Sequence, residues 1–197
     1  MFNETLDIKI PDGKITFHEG FFSLEESQIL MQSLIKTIDW TQEEVIVYGK
    51  RHKIPRLNAW YGDEGKIMNY SGLTLVPKSW IKELLDIKEK VEKTVNAEFN
   101  SCLLNYYRNG NDGMGWHQDN EKELGKNPII ASVTFGESRP FQLKHISNKS
   151  LKKVDIQLTN GSLLVMAGET QHYWKHQIPK TTKQLSERIN LTFRTII

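Results

Sequence analysis

His117 and Asp119, two positions apart in Gly115-Trp116-His117-Gln118-Asp119, offer an imidazole and a carboxylate to one ion. In an extended segment residues i and i+2 point to the same side, so both groups can occupy adjacent corners of a metal site. A distant second histidine would complete a 2-His-1-carboxylate set. Such a set leaves positions open on iron(II) for a co-substrate and O2. Alone the pair is weak evidence. With six histidines in the chain, chance supplies one roughly one time in four, usually as a surface His beside a surface Asp.

Two residues compete for the third corner, His172 and His176. If His172–Ile178 (HYWKHQI) is one strand, they share a face but lie about 13 Å apart, so they cannot hold the same ion. His172 adjoins the turn-like Gly168-Glu169-Thr170 and reads as an exposed loop residue. His176, deeper in the strand, is the preferred ligand.

The C-terminal run Arg188-Ile189-Asn190-Leu191-Thr192-Phe193-Arg194 alternates polar and apolar residues. The commonest meaning of that pattern is a half-buried strand with its polar side in water. If the strand instead lines a cavity, both guanidinium groups need anionic partners. Arginine suits carboxylates, which it takes through paired hydrogen bonds. A dicarboxylate would supply two. The two arginine Cα atoms lie about 20 Å apart in an extended strand, so they reach inward from opposite ends. Leu103, Asn105 and Tyr107 likewise share a face, and the latter two offer further hydrogen bonds, although a buried tyrosine is more often simply packed.

Positioning these groups requires strands, and the second half of the chain is rich in them. From about Ser101, the segments LLNYY, IIASVTF, RPFQLKH, VDIQL, GSLLVM, HYWKHQI and RINLTFRTII carry β-branched, aromatic or alternating residues. Asn109-Gly110, Gly136, Ser147-Asn148 and Asn160-Gly161 read as turns between them. The first hundred residues carry the helical signals. Ser23 and Glu26 form a capping box ahead of a stripe of Leu24, Met31, Leu34, Ile35 and Ile38. A second helix is predicted from about Ser79 to Asn96, entered at Pro77, with Ile81, Leu84, Leu85, Val91 and Val95 on one side. The expected fold is α+β: a jelly-roll core, or double-stranded β-helix, backed by N-terminal helices.

With 197 residues and no Pro/Gly-rich linker or repeat, one domain over 1–197 is expected. About 1–100 would carry the helices and the recognition region, and about 101–197 the catalytic core. No apolar run approaches the roughly 20 residues needed to cross a bilayer. The N-terminus has acids where a signal peptide would be basic. The single cysteine, Cys102, cannot form an internal disulfide, which fits a reducing compartment: cytoplasm, or nucleus in a eukaryote. A monomer is expected. The net charge of +2 points to no partner by itself. Clusters at Lys50, Arg51, His52 and Lys53, and at Lys144, His145, Lys149, Lys152 and Lys153, are in most proteins merely solvated loops.

The chain nevertheless resembles the AlkB family of nucleic-acid demethylases along nearly its whole length. The resemblance rests on PRLNAWYGD (55–63), YSGLTLVPKSW (70–80), LLNYYRNG (103–110), WHQDNEKELG (116–125), PIIASVTFG (128–136), GSLLVM (161–166) and RINLTFRTI (188–196), in matching order and spacing. It is similar above all to the branch that repairs alkylated bases. The resemblance implies Fe(II) at His117, Asp119 and His176, the third ligand falling in the Trp174-Lys175-His176 motif. It also implies 2-oxoglutarate held by Asn105, Tyr107, Arg188 and Arg194. Arg188 and Tyr107 would take the distal carboxylate, Arg194 and Asn105 the end near iron. The implied reaction consumes O2, converts 2-oxoglutarate to succinate and CO2, and hydroxylates an N-methyl group that leaves as formaldehyde.

The implied substrates are 1-methyladenine and 3-methylcytosine in DNA or RNA, flipped into the pocket at a cost a damaged base lowers. The implied contacts are Tyr48, Lys50, Arg56, Met68, Tyr70, Asn120 and Glu121. The base would lie between Tyr70 and the His117 ring. Met68 stands where relatives often have another aromatic, and Asn120 where an acid commonly reads the exocyclic amine, a role Glu121 can take over. Val45–Lys50 matches a hairpin that fills the gap left by the flipped base, with Tyr48 as wedge and Lys50, Arg51 and Lys53 on phosphates. An exposed edge hairpin with an ordinary tyrosine is an equally good reading of those residues. Two rivals keep less of this picture: an oxygenase acting on a protein side chain or small molecule, and a nucleic-acid-binding module with a structural metal.

Overall fold

The structure is a computed structural model. It describes residues 4–47, 49–66, 68–70 and 73–197, and at 46, 47, 68–70 and 73–75 the backbone alone. In chain order the elements are β1 (Glu4–Ile8), β2 (Lys14–Glu19), α1 (Leu24–Thr37), β3 (Glu44–Val47), β4 (Lys50–Lys53), β5 (Leu57–Gly62), β6 (Met68–Tyr70), β7 (Leu73–Leu75) and α2 (Lys82–Val95). There follow β8 (Ser101–Tyr107), β9 (Met114–His117), β10 (Ile130–Gly136), β11 (Arg139–His145), β12 (Val154–Leu158), β13 (Ser162–Ala167), α3 (Thr170–Tyr173), β14 (Trp174–Ile178) and β15 (Arg188–Arg194).

Two antiparallel sheets form the jelly roll. The larger has the order β1-β2-β13-β10-β15-β8-β5 and the smaller β12-β11-β14-β9. The alternation read in β15 fixes how its sheet is used. Ile189, Leu191 and Phe193 join a core with Leu34 of α1 and with Leu84, Ile87 and Val91 of α2, so both helices cover the back of the large sheet. Its other face meets the small sheet across Leu143, Ile156, Leu158, Trp174 and Ile178. All seven residues of β15 are buried. Its polar side is therefore inside the protein rather than in water.

The capping box of α1 forms as expected, Ser23 Oγ accepting from Glu26 N–H at 3.1 Å and Glu26 Oε2 accepting from Ser23 N–H at 2.7 Å. Leu24, expected on the apolar stripe, is 65% exposed; it opens the first turn, where the helix face has not yet reached the sheet. α2 starts at Lys82 rather than near Ser79. Lys78 N–H is already committed to the Trp60 carbonyl and Gly62 N–H to the Lys78 carbonyl, which keeps the preceding residues extended. The HYWKHQI segment is also not one strand: His172 belongs to α3, and β14 begins at Trp174. The first hundred residues are less helical than their pattern suggests, because β1, β2 and β5 complete the large sheet.

Gly136 ends β10 with φ at +89°, directly opposite Arg188 of β15. A Cβ there would stand 2.4 Å from the Glu187 carbonyl oxygen. Gly136→Ala should therefore cost more than about 2 kcal/mol in urea unfolding, combining positive φ with a backbone clash. A loss below about 0.5 kcal/mol would contradict this account of the β10–β15 junction.

Candidate metal and co-substrate site

His117 ends β9 and lies opposite His176 of β14 in the antiparallel pair. The two imidazoles stand edge to face at 4.2 Å between centroids, and Phe141 stacks on the His176 ring at 5.0 Å. Asp119 follows in the loop after β9. It is held by its own backbone N–H donating to Gln171 Oε1 at 2.9 Å, while Gln118 Nε2 donates to the Gln171 carbonyl at 3.1 Å. One residue of α3, through its side chain and its backbone carbonyl, thereby fixes the segment that carries the carboxylate. His117, Asp119 and His176 bring one ligand atom each to within 4.8 Å of one another, and two of the three residues are fully buried.

The hydrogen bonds also set the histidine tautomer. His117 Nδ1 lies 2.9 Å from the Gly115 carbonyl; a carbonyl only accepts, so Nδ1 carries a proton and Nε2 is the nitrogen left to face an ion. Burial pushes the His176 imidazole down to about 3, helped by the neighbouring His117 and opposed by Asp119. Burial alone would raise the Asp119 carboxyl. Arg194, whose Nη2 donates to Oδ1 at 2.7 Å, and both histidines outweigh it and hold the carboxyl below its usual range. The donor set is thus two imidazoles, that of His176 held neutral, and one carboxylate. His172 stands elsewhere, exposed, with Nε2 bonded to Asn127 Oδ1 at 2.9 Å.

The polar face of β15 runs past this cluster. The β15–β8 register sets Arg188 opposite Tyr107, Asn190 opposite Asn105 and Thr192 opposite Leu103. Asn105, Tyr107, His117, Asp119, Ser132, His176, Asn190, Thr192 and Arg194 line one cavity. Its polar wall is tied together along the strands. Ser132 Oγ bonds Asn190 Oδ1 at 3.0 Å, Asn190 Nδ2 donates to Thr192 Oγ1 at 2.9 Å, and Arg188 Nη2 donates to Thr134 Oγ1 and Asn190 Oδ1 at 2.9 and 2.7 Å. Arg188 Cζ lies 5.1 Å from the centre of the Tyr107 ring.

Arg56, expected to touch substrate, is buried and donates through Nε to Asn105 Oδ1 at 2.8 Å and through Nη1 to the Gly113 carbonyl at 3.3 Å. That occupies the Asn105 oxygen and leaves its amide hydrogens for the cavity. Lys50 is exposed on the small β3–β4 hairpin, Asn120 is exposed beside the metal cluster, and Glu121 is half-buried, with its carboxyl pushed up by burial first and also by Asp119. Tyr48 and the side chains of Met68 and Tyr70 lie outside the described residues.

A family model for the 2OG-Fe(II) oxygenase superfamily matches residues 14–194. Over 185 residues the chain is 39% identical to the DNA oxidative demethylase ALKBH2 of Bos taurus, covering 89% of this chain and 66% of that one. It is 35% identical over 207 residues to the ALKBH2 of Mus musculus, covering 97% of this chain and 87% of the relative. This chain belongs to the AlkB family of 2OG-Fe(II) oxygenases.

Another family member, the alpha-ketoglutarate-dependent dioxygenase alkB homolog 3 of Mus musculus, is 35% identical over 192 residues, covering 93% of this chain and 66% of its own. The chain spans about two thirds of the length of the first curated relatives it matches. The solved structure of OsALKBH1 superposes with a TM-score of 0.68 at 16% identity, covering 98% of this chain and all of that one, a likeness of fold. Membership in this family brings Fe(II), with 2-oxoglutarate and O2 as co-substrates. The residues present fit those groups. The donor set suits iron(II), and buried guanidinium hydrogens await an anion: Nε and Nη1 of Arg188 and Nε of Arg194 have no partner.

Sequence reading missed Gln171, which carries no motif, and the ladder through Ser132, Thr134, Asn190 and Thr192. The alternation in β15 contained the signal for the last two, but nothing local marked them as buried.

Two outcomes are expected of the metal-free and metal-loaded protein. His176→Ala should abolish the rise in melting temperature on adding Mn(II) as a redox-inert stand-in for iron, whereas His172→Ala should keep it; the opposite result would remove His176 from the ligand set. Because the folded His176 titrates near 3 and the unfolded near 6.5, the unfolded chain takes the proton first. Metal-free stability should therefore be whole above pH 6.5 and fall, as pH drops toward 3, with a slope of up to about 1.4 kcal/mol per pH unit. His176→Gln should flatten that slope in urea titrations.

Proposed function

We propose that this protein is an oxidative demethylase of N-alkylated bases, acting on 1-methyladenine and 3-methylcytosine in nucleic acid, DNA first. The observation that carries this reading is its 39% identity, over 89% of the chain, to a relative described as a DNA oxidative demethylase. In this reading His117, Asp119 and His176 hold Fe(II). Arg188 and Tyr107 receive the distal carboxylate of 2-oxoglutarate, and Arg194 and Asn105 orient the end nearest the metal. Iron, when bound, supplies the O2 activation that couples decarboxylation of 2-oxoglutarate to hydroxylation of the N-methyl carbon.

The chain's own groups do the arranging. Arg194 keeps the Asp119 carboxylate ionised and fixed through Oδ1, leaving Oδ2 toward the histidines. The Gly115 carbonyl fixes the His117 ring, and Arg56 turns the Asn105 amide hydrogens inward. The apolar wall of Met114, Phe141, Leu158 and Met166 keeps bulk water from the reacting carbon. Hydroxylation leaves an N-hydroxymethyl base, which releases formaldehyde without further help from the protein.

Tyr70 would then flank the flipped base opposite the His117 ring with Met68 beside it, Tyr48 would fill the gap the base leaves, Asn120 and Glu121 would read its edge, and Lys50 would meet phosphate from the exposed β4 edge. The reading also treats 1–197 as one domain, supported by the shared sheet in which β2 and β5 flank strands from the second half. A monomer in a reducing compartment, cytoplasmic or nuclear, goes with it, supported by the buried and chemically quiet Cys102 thiol. Among the described residues no helix is long and apolar enough to cross a membrane.

The test is formaldehyde and succinate release by iron-loaded protein from methylated oligonucleotides varied in lesion, sugar and strandedness. Turnover of 1-methyladenine and 3-methylcytosine is expected, with neutralisation of Lys50, Arg51 and Lys53 raising KM about tenfold or more at low salt. Consumption of 2-oxoglutarate with no formaldehyde from any oligonucleotide would sink the assignment. Undiminished turnover in the neutralised variant would remove those residues from the substrate contacts.

A further inference from the structure

Arg139, the first residue of β11, is 1% exposed, among the largest fully buried side chains of the protein. No motif in the sequence singled it out. Its Nη2 donates to the Asp112 and Pro179 carbonyls at 3.0 and 2.7 Å, and Nη1 to the Asn109 carbonyl at 3.4 Å. The bonds to Asn109 and Asp112 pin the loop between β8, which carries Asn105 and Tyr107, and β9, which carries His117, and the bond to Pro179 ties it to the end of β14. Its Nε has no partner. Among the described residues no carboxylate lies within 4.0 Å of it; Asp112 is bound to Arg108, at 2.8 Å from Nε and 2.9 Å from Nη2.

Carbonyl bonding alone does not explain a full charge in this place, since neutral donors can satisfy carbonyls without the desolvation cost of an ion. The surroundings add a second cation. Arg139 Cζ lies 5.8 Å from the centre of the Tyr107 ring, and Arg188 Cζ lies 5.1 Å from the same ring. Two buried guanidiniums thus share one phenol ring, and three of their N–H-bearing nitrogens, Nε of each and Nη1 of Arg188, are unpartnered. Each lowers the other's comfort in the interior, and an anion brought to the cavity wall at Tyr107 relieves both.

We propose that Arg139 is a positioning residue of the co-substrate site, its buried charge setting the affinity for the distal carboxylate from behind Tyr107 while its carbonyl bonds hold the β8–β9 loop. The inference rests on the reading that Arg188 and Tyr107 receive that carboxylate. Arg139 does not touch the ligand; it acts through the field at Tyr107 and Arg188. The signature is selectivity. A unit charge acting over about 10 Å in such surroundings changes affinity for a charged group by about tenfold. It leaves a ligand without that group nearly unaffected.

The experiment uses the full chain loaded with Mn(II), without turnover, and measures dissociation constants for two five-carbon 2-oxo acids by calorimetry. One is 2-oxoglutarate; the other is 2-oxopentanoate, which lacks the distal carboxylate. Arg139→Gln should weaken 2-oxoglutarate about tenfold and 2-oxopentanoate less than about twofold. Arg139→Lys, which keeps the charge and loses the fork, should hold the ratio of the two affinities within about threefold of the parent. Equal weakening of both ligands, or unchanged 2-oxoglutarate binding, would overturn the proposal. If Arg139→Gln does not fold, the lysine variant decides: a collapsed ratio with the charge retained counts against it. Arg188→Gln separates the two levels. Should that variant keep its preference for 2-oxoglutarate, the distal-carboxylate reading itself fails; should it lose the preference while Arg139→Gln keeps it, only the role of Arg139 falls.

Discussion

Two arginines, an asparagine and a threonine on one face of β15 are buried between the two sheets. Burying a guanidinium is costly unless its hydrogens and its charge find partners. The fold meets that constraint by sandwiching β15 between β8 and β10, whose matching positions supply Asn105, Tyr107, Ser132 and Thr134. The remaining demand falls on Asp119, reached by Arg194 from the far end of the strand. A metal-ligand carboxylate and an anion-binding strand are thus one electrostatic unit. The position of Asp119 depends on the strand as much as on its own loop.

The unit is left short of anions. Arg194 is satisfied in part, while Arg188 relies on hydroxyl and amide oxygens and burial lowers its affinity for the proton to about 10. Such a site is stable because the large sheet and its helices supply the core. It is poised because further hydrogen bonding is still available. The His176 imidazole fits the same description, held neutral, as coordination requires, before any ion arrives.

Much of this was legible in the amino-acid order, and the reason is period. The alternation over 188–194 named the inward set and the outward set of β15, and the capping box at Ser23 located α1. Spacing could not say that the polar set was buried, because the covering strands β9 and β14 belong to the other sheet. Strand reasoning also separated His172 from His176 on a premise the chain does not follow. His172 is in a helical turn, and the preference for His176 rests instead on its cross-strand pairing with His117. Gln171 and Arg139 were invisible for a related reason. Each acts through backbone or side-chain atoms brought close only by the sheets, from residue types that are ordinary on a surface. Strands of the first hundred residues were hidden too, since β2 and β5 are completed by β13 and β8, far along the chain.

The place of β15 has a consequence for how the molecule comes into being. This last strand lies between β10 and β8, with β13, β2 and β1 beyond one neighbour and β5 beyond the other. Until it docks, the large sheet is two separate halves, each with an open edge where the arginines will lie. During synthesis the strands that precede it must wait, with those edges exposed, until β15 has emerged. Closure then joins residues 52 to 93 positions apart, a non-local pairing pattern that makes folding slow and unpaired edges prone to aggregation. The segment that completes the anion site is therefore also the one that ends the vulnerable period, so a chain that has folded has, by the same event, acquired its arginines.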